Sequence, residues 1–178
     1  MDNLSDRPDR FGPVSRALHW SMAALFALQF LSAAAHWALP RDNALRQTLW
    51  SYHIDLGVTL FLLVLLRGAW ALWNLRRRPR HSGLVGRAAT AGHAALYALM
   101  MIVPVVKIPA AAGGTRGLSY LGLSIFPARE TAIAWTQAAA GWHGGMGWML
   151  AALVLGHIVM VLGWHRFIKR DDVLSHMA

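Results

Sequence analysis

The chain has 178 residues, 56% of them hydrophobic and only 14% charged, with a mean hydropathy of +0.40. The length suits one domain over 1–178, but the apolar content exceeds what a single small core buries, which argues against a water-soluble enzyme. Cysteine is absent, which removes disulfides, thiolate zinc sites, Cys-bound iron–sulfur clusters and covalent CxxCH haem attachment. The formal charge of +9 comes from 17 Lys and Arg against 8 Asp and Glu. Those cations flank apolar segments, a membrane pattern rather than a nucleic-acid footprint, and no nucleic-acid partner is expected.

The gaps between charges mark the elements. No charge lies between Arg16 and Arg41, so a first membrane helix is predicted over Ala17–Leu39. A second runs from about Leu49 to Trp73 and carries Asp55 near its start and Arg67 further on. The third lies between Arg87 and Lys107, roughly Ala88–Val106, and Gly113-Gly114 with Pro127 marks the loop after it as irregular. The fourth sits in the uncharged run from Thr131 to His165, as Ala138–Trp164. The polar N-terminal tail is too long for a signal-peptide n-region, so the first helix reads as retained. The fold expected is an all-α, four-transmembrane-helix bundle surrounded by lipid.

Orientation follows from Lys and Arg near the helix ends. The N-terminal tail (Arg7, Arg10, Arg16), the second loop (Arg76, Arg77, Arg78, Arg80, Arg87) and the C-terminal tail (Arg166, Lys169, Arg170) share one side and hold eleven cations. The other side holds five: Arg41, Arg46, Lys107, Arg116 and Arg129. Both termini are therefore expected in the cytoplasm, with Trp37, Trp50, Trp73, Trp135 and Trp164 forming interfacial belts.

An ionisable side chain inside a bilayer is costly, which makes each intramembrane histidine a candidate site residue. With the helices threaded in this order, His53 and His143 fall at one depth, and His19 and His157 at the other. His143 and His157 are fourteen residues apart, a rise of ~21 Å with the two side chains within about 40° of one face. One helix therefore presents an imidazole in each leaflet. Two imidazoles per leaflet suit the two axial positions of a haem b iron, whereas zinc prefers four close ligands and copper more often recruits methionine or cysteine. Gly57, Gly144, Gly145, Gly147 and Gly156 lie beside these histidines, fitting either close approach of a flat macrocycle or close helix packing. His93 falls at the level of His157, either as a rival to His19 or as a contact to a haem propionate or a quinone. Arg67 fits a propionate counter-charge or a side chain snorkelling to the interface. His36 reads as interfacial; His81, His165 and His176 read as solvated or interfacial, with His165 a weak quinone contact. Asp55 and Lys107 share a depth that permits an ion pair.

His19-Trp20, Tyr52-His53 with Gly57, Gly92-His93 with Pro104, and Trp142-His143 followed by His157 together resemble the prokaryotic cytochrome b561 family over essentially the whole chain. The resemblance implies a multi-pass protein of the bacterial inner membrane with two b haems, one ligated by His53 and His143 and the other by His19 and His157. It also implies electron transfer from a periplasmic donor, superoxide or a redox protein, to the quinone pool, with ubiquinone as acceptor. One branch of the family looks like a superoxide oxidase, and Lys107, Arg116 and Arg129 would attract that anion. Lys107 and Asp55 stand where relatives tend to carry small side chains. Two other readings stay open on the residues alone: an electron-transfer subunit docked to a periplasmic dehydrogenase or cytochrome, and a haem-free bundle whose histidines bind metal or join helices.

Overall fold

A computed structural model describes residues 4–8, 10–77 and 83–163. His81, His165, His176, Trp164 and the cations Arg78, Arg80, Arg166, Lys169 and Arg170 lie outside the described residues. Four helical segments are long and apolar enough to cross a membrane: Pro13–Ala38, Ala44–Trp73, Gly86–Ala112 and Ala134–Gly163.

The first is α1 (Pro13–Ala38), which starts four residues before the expected Ala17 because Pro13 occupies the first turn, where a missing N–H costs nothing. Pro40 prevents its continuation. The second crossing is jointed. A short α2 (Ala44–Ser51), capped by Asn43 Oδ1 accepting the Arg46 N–H, is followed at Tyr52 by α3 (His53–Trp73). The third combines α4 (Gly83–Val105) with α5 (Ile108–Ala112). The fourth opens with α6 (Ala134–Gln137) and a 3-10 turn, Ala138–Gly141, continues as α7 (Trp142–Val159), and closes in a π turn over 160–163.

Packing pairs α1 with α3 and α4 with α7, and α3 against α4 joins the two pairs. Met22, Leu60 and Val64 form one buried cluster, and Leu99, Val103 and Leu150 another, with Phe26 and Met100 touching both. Elsewhere the large apolar side chains point outward; Trp73 is 82% and Leu155 63% exposed. A soluble protein hides such groups, so this inverted surface is one made for hydrocarbon.

The ends of the bundle differ. At the tail end, residues before α1 fold back onto the end of α3: the Asp6 N–H donates to Asn74 Oδ1 (3.2 Å) and the Gly12 N–H to Asp6 Oδ1 (2.9 Å). Asp6 and Asn74 are both buried. At the other end the third loop, expected only to be irregular, forms an antiparallel hairpin of β1 (Leu118–Tyr120) and β2 (Leu123–Phe126). Its turn residues Leu121 and Gly122 have φ of 48° and 81°, the left-handed pair that a two-residue hairpin turn requires. Leucine is an unusual occupant, and Asp55 Oδ1 holds it by accepting the Leu121 N–H at 2.9 Å. The Asp55 carboxylate is thus engaged with the hairpin rather than with Lys107.

Candidate functional site

Two groups of histidines occupy the bundle, one toward each end. At the hairpin end, His53 is the first residue of α3 and His143 the second of α7, and their ring centres lie 6.3 Å apart with planes at 76°. Each ring is held through Nδ1 by a different helix. Ser32 on α1, fully buried, donates its hydroxyl to the Gln29 carbonyl at 2.7 Å. Its oxygen therefore accepts the His53 Nδ1–H at 2.8 Å. This assigns the proton to Nδ1 and leaves the lone pair on Nε2, where the Gln29 side-chain amide donates at 3.2 Å. The same amide nitrogen reaches the His53 carbonyl at 3.2 Å.

The His143 Nδ1–H donates to the Val103 carbonyl on α4 at 2.8 Å. The sequence explains why that carbonyl is available. In a regular helix it would accept from Lys107, but the chain tightens after Pro104 and the Lys107 N–H turns to the Pro104 carbonyl instead, at 3.0 Å. Trp50 on α2 stacks with His53 (4.4 Å, 25°) and with His36 (3.7 Å, 22°). Lys107 lies within electrostatic reach of both His53 and His143.

At the tail end the rings of His93 and His157 lie 5.5 Å apart, inclined at 73°. His19, half-buried, lies within electrostatic reach of both and of Arg67. Its Nδ1 is buried and without a hydrogen-bond partner among the described residues. His93 is exposed, with its Nδ1 hydrogen-bonded to the Ala89 carbonyl one turn back at 2.7 Å. The Arg67 guanidinium sits 5.7 Å over the Tyr97 ring, a cation–π contact that keeps it beside the histidines.

Across the family model named "Prokaryotic cytochrome b561" the match runs from residue 10 to residue 178. The chain belongs to the prokaryotic cytochrome b561 family. It is also similar to the cytochrome b561 homolog 2 of Escherichia coli (strain K12), 27% identical over 179 residues that cover 98% of this chain and 94% of that protein. Membership with four membrane-spanning helices makes this a multi-pass protein of the bacterial inner membrane that binds haem b and transfers electrons.

The residues fit that group. Among the described residues no three histidine or acidic side chains gather as a metal site. Imidazoles offered in twos suit an iron whose four remaining positions are filled by a porphyrin. An imidazole–iron–imidazole axis needs two metal–nitrogen bonds of about 2 Å each plus the distance from each nitrogen to its ring centre, about 6 Å in all. The His53–His143 separation of 6.3 Å meets that span. The Gln29 amide stands at the His53 lone pair, the nitrogen that would hold the iron, and would have to give up this hydrogen bond to it.

Glycines support the same arrangement. Gly57 and Gly147 each follow a histidine by four residues, one helical turn, on the same face. A Cβ at Gly147, Gly144, Gly145 or Gly156 would meet nothing within 4 Å, so these positions are open rather than pressed against a neighbouring helix. At Gly57 a Cβ would touch only Gln29 Nε2, at 3.4 Å.

Sequence reasoning brought His53 and His143 to one depth but missed the groups that aim them: Ser32, Gln29, Val103 and Trp50. A signal for two was present, since Gln29, Ser32 and His36 fall within about 60° of one face of an otherwise apolar helix.

Proposed function

We propose that this cytochrome b561 holds two b haems and carries electrons from a periplasmic donor to the quinone pool, with both termini in the cytoplasm. His53 and His143 would ligate the haem nearer the periplasm and His19 and His157 the one nearer the cytoplasm. The observation that carries this reading is the His53–His143 pair, 6.3 Å apart with each Nδ1–H committed to an acceptor on a different helix. Such outer hydrogen bonds fix the tautomer and the ring orientation of a metal-ligating histidine and raise its basicity. Bound haem supplies the one-electron carrier; the chain supplies axial nitrogens, orientation and exclusion of water.

At the cytoplasmic level the half-buried His19 suits an axial role better than the exposed His93. Its Nδ1 has no hydrogen-bond partner among the described residues, so His19 lacks the outer bond that His53 and His143 have, and half-burial is what favours it. His93 and Arg67 are then placed to meet a haem propionate or a quinone. The 5.5 Å contact of His93 with His157 supports a second reading, in which His93 is the axial partner.

Superoxide is the donor we favour, with ubiquinone as acceptor. Lys107, Arg116 and Arg129 lie at the hairpin end, and Lys107 is exposed within reach of both histidines. Asp55 offsets part of that positive field. The alternative is an electron-transfer subunit docked to a periplasmic dehydrogenase or cytochrome. Haem quantitation and dithionite-reduced spectra on wild type, His53→Ala and His157→Ala test the ligands. Two haems per chain are expected, with each variant losing a different one; both haems retained in both variants refute the assignment. Quinone reduction by the isolated protein under a superoxide flux separates an enzyme from a docked subunit.

A further inference from the structure

We propose that Ser32 is a positioning residue for the haem bound through His53: its hydroxyl oxygen, accepting from His53 Nδ1–H, fixes the ligand ring and holds that haem's midpoint potential down. This rests on the reading of His53 as an axial ligand.

The argument starts from the burial of Ser32. A hydroxyl at 0% exposure in a membrane helix has no water to satisfy it and needs protein partners. Serine in such a helix commonly discharges its proton onto a carbonyl of the preceding turn, and Ser32 does so onto Gln29 at 2.7 Å. That bond uses the only hydroxyl proton, so the 2.8 Å contact with His53 has one allowed polarity: Nδ1–H donates and Oγ accepts. The backbone carbonyl of Gln29 thereby polarises the hydroxyl, and the hydroxyl polarises the imidazole, in one chain of hydrogen bonds from α1 to the ligand on α3.

Two consequences follow for an axial ligand. The ring plane is fixed between the hydroxyl on α1 and the indole of Trp50, which stacks on it at 25°. The imidazole also gains basicity at Nε2, because its opposite N–H is engaged. A more basic axial nitrogen stabilises ferric over ferrous iron, which lowers the potential. His143 has the same type of partner in the Val103 carbonyl, but that acceptor belongs to the backbone. Ser32 is the side-chain acceptor on this axis, and so the one that substitution can remove.

The test is redox titration and haem quantitation of the purified holoprotein as wild type, Ser32→Ala and Ser32→Cys, the latter near in size with a much weaker acceptor. The expected result is an upward shift in the potential of the haem that His53→Ala removes, larger for Ser32→Ala than for Ser32→Cys, with the other potential unmoved. Haem affinity at that position should fall about 10–100-fold, as for other outer partners of metal-bound histidine. Loss confined to that haem in both variants also supports the proposal. Unchanged potentials in Ser32→Ala overturn it. So does a Ser32→Cys protein that keeps its haem at the wild-type potential while Ser32→Ala has lost it, because size alone then explains the effect. Loss of both haems in both variants overturns it too, since Ser32 then serves helix packing. An H53A protein that keeps a full haem complement refutes the ligand assignment itself, a result that no Ser32 variant produces.

Discussion

At the hairpin end each imidazole is tied by hydrogen bonds to a helix other than its own: His53 to Ser32 on α1, and His143 to Val103 on α4. At the tail end the ties are of another kind. His93 bonds within its own helix, His19 Nδ1 has no partner among the described residues, and the group meets through ring contact and the nearby Arg67. Cross-helix hydrogen bonds fix a ring's rotation before any ligand binds, whereas ring contacts leave the rotation to be set by the ligand. The hairpin-end group is pre-organised by its hydrogen bonds, and the tail-end group is not.

The largest expected effect tests that contrast directly. His53→Ala and His143→Ala should each abolish one haem completely and leave the other, read as half the haem per chain in a pyridine haemochromogen assay. At the tail end His157→Ala should remove the second haem. Between its two candidate partners, His19→Ala should do the same while His93→Ala keeps two haems with an altered spectrum. The opposite outcome assigns the axial role to His93.

A smaller effect is expected at Pro104→Ala. It restores a backbone N–H that favours a regular helix end, so the Lys107 N–H competes with His143 for the Val103 carbonyl. Haem affinity at the hairpin end should fall by roughly 10-fold, measured by haem transfer to apomyoglobin, with the tail end unaffected. Arg67→Gln should retain both haems and lower the potential of the tail-end haem alone, because a cation nearby favours the more negative reduced state. Smallest is Leu121→Gly, which relieves a leucine at positive φ whose side chain is 69% exposed. Stability should rise by about 1 kcal/mol, read from the melting temperature in detergent, without change at either histidine group.

The sequence carried these two regions unequally. Long apolar runs located all four crossings, three of them uncharged and the second carrying Asp55 and Arg67, because the cost of a charge in hydrocarbon is large and one-dimensional along the chain. Depth was readable for the same reason, and it brought His53 level with His143. What hydropathy does not encode is how far each helix is turned about its axis. The Ser32–His53 bond, the Val103–His143 bond and the meeting of His93 with His157 depend on that rotation. The hairpin escaped notice because its turn pairs a leucine with Gly122, and the acceptor that holds the leucine, Asp55, lies 66 residues away in sequence.

The short bridge from Asp6 to Asn74 bears on how the protein inserts. Its donor precedes the first crossing and its acceptor follows the second, so it closes only when the chain has gone out and come back. A nascent hairpin that fails to return leaves the Asp6 N–H and the Asn74 amide in opposite compartments. The contact thus ties the two ends of the first helical hairpin together and stabilises only the correctly threaded arrangement of that half.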